Sequence, residues 1–360
     1  MKVFLGKKEQ SGTILLVTLW VLVVLTALTL SVGRSTALEL ALTKHTVAKA
    51  KSKYLAWAGI VYALDQIRED SHDSLSGRRD TLYYCAIPMN EEHTPVELFK
   101  ERVVGDGYFE ISSRADGFAG QEEGGVYYGL QDEERRINVN ALTSSNAFVL
   151  NSLLILRGSD PQTAQIITFS LLDWKDADNL LSQEGSGAED DYYMGLSNPY
   201  HCKNRPLDSK EELLLVRGMD PEAFQKIEDD ITIFPKSGNL RINFDTASEA
   251  VLQALAYAFK GSLTNTDTAD ADALATKILD YRRGEDGREF TVDDRPIEMG
   301  KMALNAKENV LFLAMNQFRT EKSDYIYVHS EGVEYRRGAK TEMSAVIYRP
   351  DLTVHYWHRD

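Results

Sequence analysis

The sequence predicts an α+β protein: a long N-terminal helix packed on an antiparallel sheet, with a large all-α domain inserted into that sheet. Three observations carry the prediction. Residues Thr13 to Val32 contain no charge, and apolar residues continue beyond them at helical spacing. Short alternating stretches occur both early and at the very end of the chain. Between them lies a helical middle that repeats itself.

The apolar run of about twenty residues is long enough to cross a hydrocarbon core of roughly 30 Å as a helix. Lys2, Lys7 and Lys8 precede it and favour keeping that end in the cytoplasm. No breaker follows. Leu38, Ala41, Leu42, Val47, Ala48, Tyr54, Leu55, Ala58, Val61, Tyr62 and Leu64 extend one apolar face, and an unbroken helix to Arg68 would be roughly 80 Å long. The run is longer than the core of a cleaved secretory signal, and Ser35-Thr36-Ala37 is a poor cleavage site. An ordinary single-pass anchor is the competing reading.

Ser71 to Arg79 has loop composition. Thr81–Cys85 is a short β-prone stretch and Pro95–Val104 a possible short helix. Gly107–Ser113 and Gly125–Leu130 alternate as strands do, and Asp324–Ser330, Glu342–Arg349 and Leu352–Trp357 give three more. The middle, from about Glu134 to Glu321, has the helical pattern. In it Arg136-Ile137-Asn138-Val139-Asn140-Ala141 recurs as Arg241-Ile242-Asn243-Phe244-Asp245-Thr246. Each copy places Asn or Asp where a helix N-cap is expected. Two later helix ends also match, Leu171-Leu172-Asp173-Trp174-Lys175-Asp176 and Ile278-Leu279-Asp280-Tyr281-Arg282-Arg283. A shorter echo, Arg157-Gly158-Ser159-Asp160-Pro161 and Arg217-Gly218-Met219-Asp220-Pro221, joins a helix-closing Gly to a helix-opening Asp-Pro.

A chain of 360 residues holds more than one average unit behind its anchor. The net charge of −15 argues against nucleic acid as the main partner, since phosphate binding needs a basic face. Cys85 and Cys202 are the only cysteines; they either pair in an oxidising compartment or remain two separate buried thiols. The seven histidines form no His-Glu-x-x-His pattern, and there is no nucleophile elbow or phosphate loop, so no enzyme is expected. One acidic stretch stands out: Asp173, Asp176 and Asp178, a Gly-containing loop, then Glu189, Asp190 and Asp191. Its residues suit either a solvated loop or a hard cation such as Ca²⁺, which takes six to eight oxygens.

The leader ending in Ser11-Gly12-Thr13 before the apolar run resembles that of type IV pilins and pseudopilins. The resemblance implies cleavage after Gly12 by a prepilin peptidase, leaving Thr13 as the new amino terminus. Most such chains carry Glu at the fifth mature position, which is Val17 here. An unpaired buried carboxylate is costly, so a subunit with no neighbour above it does better without one. That departure, the Ile-Asn repeat and the Asp-rich loop resemble the K-type minor pseudopilin family of the type II secretion system. The helix–Gly–helix units resemble helix-hairpin-helix modules, which that family carries in a non-binding form.

The K-type resemblance implies a leader at 1–12, a membrane half of the helix at 13–33, and periplasmic helix with first strands at 34–135. It implies an inserted α-domain at 136–320, with repeat units about 136–235 and 241–300, and closing strands at 321–360. It implies a non-enzymatic tip subunit that starts and caps a periplasmic fibre driving export of folded proteins. The chain would be anchored once in the bacterial inner membrane, contact inner-membrane lipid before assembly, and then meet other minor pseudopilins and the major pseudopilin through its helix. It implies calcium at Asp176, Asp178, Glu189 and Asp190, with Asp173 and Asp191 in reserve. The alternatives are a type IV pilus minor pilin and a membrane-tethered helix-hairpin-helix DNA-binding protein.

Overall fold

The computed structural model describes residues 11–72, 82, 98–114, 126–261, 265–285, 287 and 294–359. Helix α1 (Ser11–His72) is continuous for 62 residues, about 93 Å at 1.5 Å per residue. Its first part is apolar and bare, long and apolar enough to cross a membrane. Burial begins at Ala48 and follows Ser52, Leu55, Ala56, Gly59, Ile60, Ala63 and Ile67. The buried face overlaps the expected one at Ala48 and Leu55, with Ala58, Tyr62 and Leu64 half-buried against the core. Leu38, Leu42, Val47, Tyr54 and Val61, however, are exposed. Small residues win the sheet-facing positions because they let the two backbones approach closely.

The sheet is built from β1 (Arg102–Val104), β2 (Gly107–Arg114), β3 (Val126–Tyr128), β4 (Gln131–Asp132), β9 (Tyr325–Glu334), β10 (Lys340–Tyr348) and β11 (Thr353–Arg359). All pairings are antiparallel, in the order β1-β2-β9-β10-β11, with β3 on β2 and β4 on β9. The strands expected after residues 107, 125, 324, 342 and 352 are all present. The helix expected at Pro95–Val104 is helical at 98–99 but gives way to β1, where Val103 and Val104 pair with Tyr108 and Gly107. Thr81 and 83–85 lie outside the described residues.

Alternation sends Ile326, Val328, Met343, Ala345 and Ile347 toward α1, where they join Ile60, Ala63 and Phe109 in one core. Contact is closest at two glycines. A Cβ on Gly332 would lie 2.2 Å from both Ala56 N and Ser52 O, and one on Gly59 would lie 2.0 Å from Ser330 Oγ.

Between β4 and β9 the chain folds twice on the same plan. The first copy runs β5 (Ile137–Asn138), α2 (Phe148–Leu156), α3 (Pro161–Lys175), α4 (Asp190–Met194), α5 (Pro221–Ile227) and β6 (Ile231–Thr232). The second runs β7 (Ile242–Asn243), α6 (Glu249–Phe259), α7 (Thr268–Arg282), α8 (Ala306–Asn316) and β8 (Arg319–Thr320). β5 pairs with β6 and β7 with β8, both parallel. Helices α2 and α6 pack together within one continuous core. The second copy thus extends to 320, past the 241–300 span suggested by sequence, because β7 finds its partner only at Arg319–Thr320.

The repeated Asn/Asp residues do the expected capping only at Asn138, and there for a short 3₁₀ turn. Asn138 and Asn243 accept the amides two residues on, Asn140 N at 2.9 Å and Asp245 N at 3.0 Å. Asn140 and Asp245 reach across to Leu207 N (2.8 Å) and Ile297 N (2.7 Å). Asn138 thereby caps the turn Val139–Ala141, while Asn140 and Asp245 tie the opening turn of each copy to a distant loop. The longer helices take other starts, since α2 has no side-chain cap and α6 is capped by Ser248. The Asp-Pro starts behave as expected: Asp160 and Asp220 cap α3 and α5 through Thr163 N and Ala223 N, after Gly158 and Gly218 at φ +93° and +86°.

Gly332→Ala is expected to wedge α1 from the sheet and cost about 3 kcal/mol, at the upper end for overpacking. Gly33→Ala, where a Cβ meets open space, should cost nothing. Urea unfolding of both variants in detergent, followed by circular dichroism, measures the difference.

Candidate metal centre

The acidic site grows from the end of α3. This helix is started by Asp160 and Pro161 and buries Ala164, Ile167, Leu171, Leu172 and Trp174. In its last turn Lys175 donates to Asn140 O at 3.0 Å and to Leu142 O, as Arg282 does to Phe244 O and Ala247 O (2.9 Å each) at the end of α7. These matched anchors fix where the Asp173 carboxylate can point.

Asp173 is fully buried (0% exposed), whereas the side chain of its repeat partner Asp280 is 67% exposed. The Asp173 oxygens accept Ser182 N and Ala188 N, each at 2.7 Å, so one carboxylate staples both limbs of the 176–188 loop. Gly187 makes this possible, since a Cβ there would lie 2.1 Å from Asp173 Oδ2. Ala188 is buried behind it. An edge-on cluster of Trp174 and Tyr193 (5.0 Å) and Trp174 and Tyr200 (6.1 Å) walls the other side.

Oxygens of Asp173, Asp176 and Glu189 all lie within 4.8 Å of one another. Glu189 is buried, and neither of its carboxylate oxygens has a hydrogen-bond partner; the same holds for Asp176 Oδ1. Burial first, then the neighbouring Asp173, Asp176 and Asp178 charges, pushes the Glu189 carboxyl up to about 7. Burial, then Asp178 and Asp173, pushes Asp176 up to about 6. Three converging carboxylates, two of them with orphaned oxygens, are a donor set for a hard, oxygen-seeking cation.

The other candidates sit around this centre. Asp178 is exposed and its Oδ1 accepts Leu180 N at 2.8 Å. Asp190 turns the other way: it accepts Cys202 N (2.9 Å) and faces His201 Nδ1 (3.1 Å), contacts that hold its carboxyl below the usual range. Asp191 is exposed. The structure therefore joins Asp176 and Glu189 to Asp173 and leaves Asp178, Asp190 and Asp191 outside the group of three. Gly187 was not singled out from sequence; its Gly-Ala-Glu-Asp context was the available signal. Cys202 is buried, its thiol 3.6 Å from Asp173 O and pushed up to about 11 by burial. Cys85 lies outside the described residues. Gly12 and Thr13 fall in the first turn of α1, and Val17 is exposed on its apolar part.

The family model described as Type II secretion system (T2SS), protein K matches residues 135–236, a span that contains the whole acidic site. The likeness to the protein K family is thereby shown. The type II secretion system protein K of Klebsiella pneumoniae is 30% identical over 154 residues, 39% of this chain and 46% of that one. That of Dickeya chrysanthemi is 31% identical over 185 residues, 50% and 48%. The chain spans about half the length of the curated relatives it matches. The fold is also that of a chain in the crystal structure of the GspK–GspI–GspJ complex from enterotoxigenic Escherichia coli, with a TM-score of 0.57 and 16% identity. That match covers 91% of this chain and 99% of the other. The site therefore lies within the stretch that matches the protein K family model.

Because the folded chain binds the Glu189 proton more tightly than the unfolded chain, metal-free stability should fall as pH rises from about 4.5 to about 7. Thermal melts in chelator across that range measure the slope. Glu189→Gln should flatten it and stabilise the metal-free protein at pH 8 by about 1–2 kcal/mol, as removal of an unpaired buried charge does.

Proposed function

We propose that the chain is a non-enzymatic minor pseudopilin of the type II secretion system, a tip subunit that helps to start and cap the periplasmic pseudopilus. The observation that carries this reading is the single helix α1. Its first stretch is uncovered and apolar, while its last turns are the spine of the sheet. One rod thus serves a bilayer or a bundle of sister helices at one end and a folded body at the other. The body would lie in the periplasm, anchored once in the inner membrane. The partners would be other minor pseudopilins, such as those in the complex of the structural neighbour, and the major pseudopilin, after prepilin peptidase cuts between Gly12 and Thr13. Val17 supports the tip position, since it asks for no neighbour's amino terminus above it. The bulky repeated domain gives a further subunit no obvious seat.

The reading includes structural Ca²⁺ held by Asp173, Asp176 and Glu189, with Asp178 and Asp190 at the periphery. The ion would neutralise carboxylates whose charges otherwise repel in a buried place, and so order the 176–188 loop. DNA binding through the helix starts is disfavoured on a specific ground. Asp160 and Asp220 already occupy the Thr163 and Ala223 amides that a phosphate would need. The type IV pilus alternative makes the same structural demands and is separated by phenotype.

Deletion of the gene should abolish secretion and leave pilus-driven motility intact, and the mature protein should begin at Thr13. Val17→Glu should change pseudopilus number or length; unchanged fibres would count against the tip role. Millimolar Ca²⁺ should raise the melting temperature, as a ligand selective for the folded state must. Glu189→Gln should lose that rise although it stabilises the metal-free chain, an opposition that calorimetric titration can read directly.

A further inference from the structure

We propose that Asn204 is the neutral ligand of the acidic centre, its amide oxygen joining Asp173, Asp176 and Glu189 around a Ca²⁺-sized cation. The inference rests on the cation reading of that site and deepens it, because it adds an uncharged oxygen from a segment outside the acidic stretch.

The first observation is an orphaned oxygen. Asn204 is half-buried, and its Oδ1 is wholly buried with no hydrogen-bond donor among the described residues. Leaving a buried acceptor unsatisfied is costly. Asp176 Oδ1 and both Glu189 oxygens are in the same condition. Three side chains, one amide and two carboxylates, thus hold buried oxygens that no protein donor serves.

The second observation is how that amide is held. The segment from Cys202 to Asn204 runs across the open end of α3. Asp190, next to Glu189, accepts Cys202 N at 2.9 Å, and the Cys202 thiol lies 3.6 Å from Asp173 O. Asn204 N then donates to Trp174 O at 2.9 Å, and Asn204 Nδ2 donates to Asn179 Oδ1 at 3.4 Å. Trp174 and Asn179 flank Asp176 in the chain, so their two bonds hold the amide against the stretch that carries Asp176. The nitrogen is turned to the loop, and the oxygen is the end left inside. The backbone of Asn204 is left-handed, at φ +52°, a conformation that Asn tolerates better than most residues.

The second copy supplies the comparison. Asn204-Arg205-Pro206-Leu207 matches Asp294-Arg295-Pro296-Ile297. In both copies the last of these amides is held by the opening turn, Leu207 N by Asn140 and Ile297 N by Asp245. The acidic copy therefore carries an amide where the other carries a carboxylate. Three carboxylates already exceed the charge of a divalent ion, and a fourth in the same buried place would be repelled by them. Asn supplies an oxygen of the same reach without the charge. Ca²⁺ takes carboxylate and amide oxygens together, in sets of six to eight.

The test uses the full-length chain in detergent micelles, calorimetric titration with Ca²⁺, and Tb³⁺ as a luminescent stand-in of similar size and ligand preference. Lifetimes of the bound Tb³⁺ in H₂O and D₂O count the waters left on the ion. Asn204→Gly, which keeps the left-handed backbone, should add one water to the bound ion and weaken Ca²⁺ binding at least tenfold. Asn204→Asp, which keeps the oxygen, should bind with the wild-type water count. Should Asn204→Gly abolish binding altogether, Asn204→Asp decides: binding at the wild-type count supports the assignment, and loss of binding overturns it. The proposal is also overturned if Asn204→Gly keeps the wild-type water count, whether its affinity falls or not, or if Asn204→Asp gains a water. A wild-type chain that binds neither ion defeats the cation reading itself and this inference with it, a result distinct from a site that binds and ignores Asn204.

Discussion

The union of the sheet with the double-copy domain depends on one buried carboxylate, that of Asp132 at the end of β4. Its Oδ2 accepts Asn243 Nδ2 (2.8 Å) and Thr246 Oγ1 (2.6 Å), and its Oδ1 accepts Glu134 N (2.8 Å) and Ser323 Oγ. One side chain on the strand leading out of the sheet thereby holds the second copy's first turn and the strand leading back in. Its neighbours extend the joint. Glu133 takes Thr232 Oγ1 and Arg136 Nη1, both at 2.6 Å, and so binds the first copy's closing strand. Glu134 faces Arg241 and Asp324 N. There burial outweighs the guanidinium, and the carboxyl is pushed up to about 7. Hydrogen bonds to a charged group contribute about 1.5–3 kcal/mol each, while desolvation takes much of that back. What the cluster supplies above all is a unique geometry, since its donors come from both copies and from the segment leading back into the sheet.

The two copies show how the same local rule gives different chemistry. Lys175 and Arg282 both turn back to carbonyls of their copy's opening turn, and Asn140 and Asp245 both hold a distant amide. At the neighbouring position the copies diverge. Asp280 stays in solvent and pairs loosely with Arg283, whereas Asp173 lies inside because Asp176 stands where Arg283 would and a glycine-bearing loop folds over it. The acidic centre is thus an elaboration of one repeat, built where the other ends in cations.

Much of this was legible in the residues. The α1 rod, the five recognised strands, the interruption of the sheet and the repeat follow from apolar spacing and from two near-identical short phrases. Two things were hidden. The run Asp132-Glu133-Glu134-Arg135 has the composition of a solvated surface, yet it is interior, because partners of Asp132, Glu133 and Glu134 come from residues about a hundred or two hundred positions away that no local pattern announces. Within the acidic loop, sequence located the neighbourhood but ranked Asp173 as a reserve. Burial of a helix-end carboxylate depends on what the following loop does, and that turned on Gly187. The inward face of α1 was legible in part: Ala48 and Leu55 are buried and Ala58, Tyr62 and Leu64 pack on the core, whereas Ser52, Gly59 and Ala63, small residues where helix and sheet approach closely, carried no apolar signal.

The unbroken course of α1 has a mechanical corollary. The helix continues through Gly33 without interruption, and its closing turns are clamped to β9 through contacts that admit no Cβ at Gly332 or Gly59. A rod held this way has no slack: a displacement of its greasy end along the axis is delivered undiminished to the body, about 1.5 Å for every residue by which that end advances. The body's height is therefore a direct gauge of how deeply the other end is seated.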